Sequence, residues 1–190
     1  MKRLLVVLLL MVLLAAPVGA EAVYTELSAG AIDSMYVGFG LNDRLAVGGS
    51  FTGGIEYGKG DLDVSENWVA ARTSWTVTDN LALWAEAGQA RQIGTKMVEV
   101  LGEQVRKTVL DESEWGAKVG IAGEWPLSDA IRGRVSASVG RVLGRNTAEY
   151  AAGILYRFSD LPWHLLVQYR STSNEERTVA GAGVGVVWNF

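Results

Sequence analysis

The sequence contains no cysteine, one histidine and three prolines in 190 residues. Without cysteine there is no disulfide framework, no zinc–thiolate site and no thiol nucleophile. The single histidine, His164, excludes any site that needs two. Basic residues number 17 against 21 acidic ones, a formal net charge of −4. That balance argues against nucleic acid as a partner, which requires Lys and Arg gathered on one face. Beyond residue 20 no apolar run approaches the roughly 20 residues of a spanning helix. Much catalytic chemistry is removed by these shortages alone.

What is abundant is glycine, with 23 residues, and tryptophan, with 7, in a chain that is 49% hydrophobic. Glycine stands well above its usual share of about 7%. At the N-terminus, Lys2 and Arg3 precede an apolar run over residues 4–16, and Pro17 interrupts it. Val18-Gly19-Ala20 then places small residues at the −3 and −1 positions of a signal-peptidase site. This three-part plan predicts a secretory signal peptide over residues 1–20, cleaved before Glu21, and one mature domain over 21–190. Removing Lys2 and Arg3 from the 17 basic residues leaves 15 against 21 acidic ones, a mature charge of −6.

The mature part alternates apolar and polar residues with the period of a β-strand. Val69, Ala71, Thr73, Trp75 and Val77 share one face, and Trp68, Ala70, Arg72, Ser74 and Thr76 the other. Similar alternation runs through Met35–Leu41 in number order, and through 45–57, 115–125, 131–139, 150–158, 165–170 and 182–190. Four short turns share a small polar residue followed by Asp: Asn42-Asp43, Thr78-Asp79-Asn80, Ser128-Asp129 and Ser159-Asp160. Between them lie connections near residues 58–66, 101–104, 144–146 and 173–176. A further strand over residues 22–28, turning around 29–33, brings the total to an even number. The expected fold is all-β: an antiparallel up-and-down barrel of 10 strands, with 8 as the alternative.

A soluble sandwich would turn its apolar face inward, whereas a transmembrane barrel turns it towards lipid. Aromatic placement favours the barrel. Phe39, Trp75, Trp125, Phe158, Trp163 and Trp188 fall near one set of strand ends, and Tyr57, Trp115, Tyr150 and Tyr169 near the other. Two girdles are what two headgroup layers require. The opposite face carries Arg44, Glu56, Arg72, Glu86, Lys118, Glu124, Arg132, Arg134, Glu149, Arg157 and Arg170. Such charges suit neither a sandwich core nor lipid, but can pair across a narrow lumen.

The chain ends on Gly183-Val-Gly185-Val-Val-Trp188-Asn-Phe190. Gly185, Trp188 and Phe190 resemble the β-signal of outer-membrane barrels, which implies recognition by the barrel-assembly machinery during insertion. With Met35-Tyr-Val-Gly-Phe-Gly-Leu41, the sequence resembles small bacterial outer-membrane barrels of the OmpA/OmpX-like superfamily and, more loosely, YfaZ-type barrels. That resemblance implies an outer-membrane location and contact with outer-membrane lipid and lipopolysaccharide. It implies no activity.

Catalytic readings fail on position. Omptin proteases carry Asp two residues before their histidine, where this chain has Pro162; PagL-type deacylases carry Ser two residues after it, where this chain has Leu166. The expectation is therefore no enzyme, no cofactor and no metal. Asp61, Asp63 and Glu66 fall short of a complete calcium-loop pattern and read as a solvated loop. The segments 81–100 and 106–125 are twice the length of a membrane crossing. They predict a long hairpin, 81–125, that projects outward and offers an external partner the region 91–112. The functional expectation is a structural or surface-interaction barrel with a lumen plugged by charged side chains. A narrow porin-like channel for ions or small solutes is the alternative.

Overall fold

The computed structural model describes residues 23–101, 103–158, 161 and 163–189. The expected signal peptide lies outside the described residues, as do Phe190 and the Ser159-Asp160 turn. Ten strands form, the number expected. They are β1 (Val23–Gly30), β2 (Asp33–Gly40), β3 (Leu45–Lys59), β4 (Leu62–Thr78) and β5 (Leu81–Val100), then β6 (Glu103–Pro126), β7 (Ile131–Val142), β8 (Arg145–Arg157), β9 (Trp163–Asn174) and β10 (Thr178–Asn189). Each strand pairs antiparallel with its chain neighbours. The sheet closes through β1 and β10, from Tyr24↔Asn189 to Gly30↔Gly183. Closure leaves no edge along the wall of the barrel, which an open ten-stranded meander would have exposed.

The polarity of the wall is the reverse of a water-soluble core. Val119 and Val139, which face each other across β6 and β7, are 57% and 60% exposed. Glu86 and Lys118, opposite each other on β5 and β6, are 4% and 3% exposed. Apolar side chains thus cover the outside of β3 to β10, and charges fill the bore. A ten-stranded barrel is wide enough to need such filling. Some apolar side chains also point inward: among them, Leu155, Leu166 and Val187 pack together, buried, on β8, β9 and β10.

Two local features correct the sequence reading. The segment 58–66, expected as a loop, is strand except at Gly60-Asp61. Gly60 adopts φ 64, a left-handed conformation that costs glycine little, so a tight turn suffices. Gly58 then pairs with Asp63, and Ile55 with Glu66. The second feature is a β-bulge in β3, where the register shifts between Thr52 and Ile55 and Gly54 adopts φ 70. One extra residue reverses the parity of everything that follows it. Ile55 and Tyr57 consequently face the bore, and Glu56 is exposed on the outer surface. Glu56 is therefore not a lumen charge and Tyr57 is not part of a girdle.

β5 and β6 outrun their neighbours. β4 accompanies β5 only as far as Asp63↔Thr95, and β7 accompanies β6 only as far as Ala117↔Arg141. The two long strands continue to pair with each other up to Val100↔Glu103. This ribbon rises at the mouth opposite the one that carries the chain termini.

Candidate functional site

The bore is crossed by charged side chains at three levels. At mid-height, β5 presents Glu86, whose Oε2 accepts hydrogen bonds from Arg72 Nε at 2.9 Å and Nη2 at 2.7 Å, and from Ser50 Oγ at 2.9 Å. Its Oε1 accepts from Trp68 Nε1 at 2.8 Å and lies 3.0 Å from Lys118 Nζ. Lys118 continues to Glu149 Oε1 at 3.1 Å, which links β5 and β6 to β8. These side chains come from alternating positions of strands adjacent in the sheet: Arg72 pairs with Glu86, and Glu86 with Lys118. Aromatic rings hold the cations in place. The Arg72 guanidinium lies 4.1 Å from the Trp84 ring and 4.9 Å from that of Tyr36, and Lys118 Nζ lies 5.0 Å from Trp68. In a desolvated setting each such contact contributes about 2 kcal/mol. Gly120 makes room for this arrangement: a Cβ there would meet the Trp84 indole and lie 2.7 Å from the Ala137 carbonyl oxygen.

A second level of charged side chains lies at the mouth that carries the ribbon. Glu66, buried on β4, is bound by Arg177 and accepts from Tyr57 Oη at 2.6 Å and Gln92 Nε2 at 3.2 Å. The Arg177 guanidinium also lies 4.7 Å from the Tyr57 ring. Arg145 adds Nη1 at 3.9 Å from Glu66 and Nη2 at 3.4 Å from Glu176, and Lys59 Nζ reaches Glu176 at 3.0 Å. The turn between β9 and β10 is thereby tied across the opening to β3, β4 and β8.

Glu176, in that turn, is held below the usual carboxylate range. The hydrogen bond from Lys59 is the main cause; partial burial opposes it, and the charges of Arg145, Lys59 and Arg177 reinforce it. A depressed carboxyl stabilises the fold above its unfolded value, and the gain is lost as pH falls through the folded value. The Glu176→Gln variant should therefore be less stable than wild type at pH 7, with the difference vanishing as acid is taken below about pH 4. Parallel thermal melts across that range test this; a difference unchanged at pH 3 would contradict it.

The third level lies towards the terminal mouth. Arg134 meets Glu26 at 2.7 Å, and Arg132 meets Glu124 at 2.8 Å. A cavity of about 530 Å³ runs past this level from the Asp79-Asn80 turn up to Arg72, lined also by Arg134, Arg170, Ser136 and Thr172.

Of the expected lumen charges, the structure brings Arg72, Glu86, Lys118 and Glu149 into one network. Arg132, Arg134 and Glu124 form separate pairs below it, and Arg170 lines the cavity. Arg44 lies exposed in the turn before β3, and Arg157 is exposed at the end of β8. Neither joins the network. Glu26, Glu66, Arg145, Arg177 and Gln92 were absent from the expected set. The signal for Glu66 is its even parity with Trp68, Ala70 and Arg72, which assigns it to the bore once residues 62–66 are read as part of β4.

The expected girdle residues Trp75, Trp115, Trp125, Tyr150 and Tyr169 are exposed on the outer wall. Phe39, Phe158, Trp163 and Trp188 are half-buried. Phe158 packs between Tyr156 and Trp163, with both centroid distances 4.9 Å, and Tyr150 lies 6.5 Å from Tyr169. Gly185, from the expected assembly signal, is buried opposite Ser28 and Leu166. His164 is half-buried opposite Arg157 and Val187. Among the described residues, no three His, Asp or Glu side chains converge as a metal site.

No family model matches the sequence, and no curated protein does. Solved structures share the barrel path. The N-terminal β-barrel domain of Pseudomonas aeruginosa OprF is 16% identical with TM-score 0.35, over 89% of this chain and 96% of that one. The translocator domain of the autotransporter NalP from Neisseria meningitidis is 15% identical with TM-score 0.40, over 100% and 96%. The NanC porin is 9% identical with TM-score 0.39, over 88% and 98%. Likeness at this level transfers neither activity nor location.

Proposed function

We propose that this chain is an outer-membrane barrel whose bore is closed by its own ion pairs and whose role lies at the cell surface. The observation that carries this reading is the pair of ionic clusters inside the bore, one running from Glu86 through Lys118 to Glu149 and the other joining Glu66 on β4 to Arg177 in the β9–β10 turn. Both clusters are largely buried and hydrogen-bonded on several sides. A hydrated ion would have to displace them in turn.

The membrane setting is supported by the exposed apolar wall and its aromatic levels. Trp115 and Trp125 stand ten residues apart on β6. At roughly 3.4 Å per residue and a tilt near 40°, that is about 26 Å, matching an apolar band of about 25 Å. The terminal mouth then faces the periplasm and the ribbon faces outward. Outer-membrane lipid and lipopolysaccharide would contact the wall, and the barrel-assembly machinery would act on the last strand. The ribbon supports a surface-interaction role, because it extends beyond the strands that would otherwise flank it.

A narrow channel is the second reading, favoured by the cavity of about 530 Å³ that opens from the terminal mouth up to Arg72. Planar-bilayer recording of the detergent-refolded protein separates the two. The plugged reading expects no steady unitary current for wild type, and reproducible unitary steps would overturn it.

A further inference from the structure

The closed wall of the barrel has no free edge, but the ribbon does. Above Ala117↔Arg141, no described strand pairs with β6 on the side facing away from β5. Along residues 103–113 its outward N–H and C=O groups therefore form an open strand template, about 35 Å long at ~3.4 Å per residue.

Charge along this edge is arranged in order. Arg106 and Lys107 lie nearer the tip, and Asp111 and Glu112 nearer the barrel. Faces are set by a bulge, since Gly94 pairs with Leu110 but Thr95 pairs with Thr108. Lys107, opposite Lys96, consequently shares a face with Glu112, opposite Gln92; Arg106, opposite Met97, shares the other face with Asp111, opposite Ile93. Lys107 and Glu112 have no hydrogen-bonding or ionic partner among the described residues. On the outer face Asp111 is held by Arg91 at 2.7 Å and Arg106 lies 3.8 Å from Asp63, so Lys107 and Glu112 are the charges that the edge has to offer first.

We propose that this edge of β6 pairs antiparallel with the same edge of a second copy of the chain, joining barrels in two apposed membranes. The inference rests on the surface role of the ribbon. Antiparallel pairing about a two-fold axis preserves faces and turns the basic half of each edge onto the acidic half of the other. Lys107 then meets Glu112, and Arg106 meets Asp111, directly or one diagonal step away, within cross-strand reach. Both contacts occur twice. Parallel pairing of two copies in one membrane would instead set Arg106 beside Arg106 and Asp111 beside Asp111. Because antiparallel edges run in opposite directions, the two barrels lie at opposite ends of the joined ribbon. The charge order thus selects contact between membranes over contact within one. Exposed Val105 and Val109 lie within the paired stretch and would be covered by it.

The test uses full-length protein refolded into phosphatidylcholine vesicles carrying two different dyes. Wild-type vesicles should cluster across colours. The variants K107E and E112K should each weaken clustering by roughly tenfold, since each makes the face that carries residues 107 and 112 single-signed and self-repelling. Mixing K107E vesicles with E112K vesicles should restore it. Absence of wild-type clustering, or failure of the mixture to recover, would overturn self-pairing. The cysteine-free sequence allows Q104C to be labelled by a membrane-impermeant maleimide. Labelling without clustering defeats self-pairing alone, whereas no labelling defeats the outward ribbon as well.

Discussion

Replacing Glu86 with alanine is expected to lower the stability of the barrel by about 3–5 kcal/mol, the cost of removing one partner from a buried ionic group. Glu86 accepts from Ser50, Trp68 and Arg72 and bridges to Lys118. Its loss leaves the Arg72 guanidinium without its carboxylate and Lys118 with Glu149 alone, in a bore that Lys118 barely shares with solvent. Cation–π contacts with Tyr36, Trp84 and Trp68 remain, but rings do not replace a carboxylate that accepts several charge-assisted bonds. Lys118→Met should cost distinctly less. In that variant Glu86 keeps Arg72, Ser50 and Trp68, and Glu149 keeps its contact with the Thr172 hydroxyl at 3.5 Å. Reversible urea unfolding in detergent micelles, followed by tryptophan fluorescence, measures both. Equal losses for the two variants would mean that Glu86 is not the hub.

This hub was half visible in the sequence. Even-numbered Arg72, Glu86 and Lys118 alternate with apolar neighbours, and a period of two assigns them to one face without any coordinates. Parity gives a face but not a height or a partner. The register of β4 on β5 and of β5 on β6 decides that these three charges meet, and register depends on where turns and bulges fall. Arg134 shares the same face, yet its partner is Glu26, on a strand remote in sequence.

The upper closure was nearly invisible for the same reason. Glu66 and Arg177 are 111 residues apart; Glu66 stood in a segment expected as a loop, and Arg177 lay just past the expected connection 173–176. Glu66 continues the even parity of Trp68, Ala70 and Arg72 but lay in the supposed loop, and the Gly53-Gly54 bulge hid its partner Tyr57 by reversing the parity of β3. Glu56 and Tyr57 exchanged faces through one extra residue, so an error of one position became an error of kind. The outer wall tolerated such slips, because any aliphatic side chain serves there. The bore did not, since each buried charge requires a particular partner.

Two closures in series make an expectation that neither makes alone. Lys118→Ala removes the side chain that spans from Glu86 to Glu149, and Arg177→Ala removes the one that ties the β9–β10 turn to Glu66. Each substitution leaves its carboxylates hydrogen-bonded: Glu86 by Arg72, Ser50 and Trp68, and Glu66 by Tyr57 and Gln92. Folding should therefore survive, as urea-resistant and heat-modifiable gel migration can check. In planar bilayers each single variant should remain silent, because the intact closure still dominates the resistance of the path. The double variant should show steady unitary currents. Those currents should favour cations, since Glu66, Glu86 and Glu149 would line the opened path with two fewer cationic neighbours. Currents from either single variant equal to those of the double would reduce the two closures to one. Silence of a correctly folded double variant would mean that the lower pairs, Arg134 with Glu26 and Arg132 with Glu124, or the inward cluster of Leu155, Leu166 and Val187, seal the bore independently.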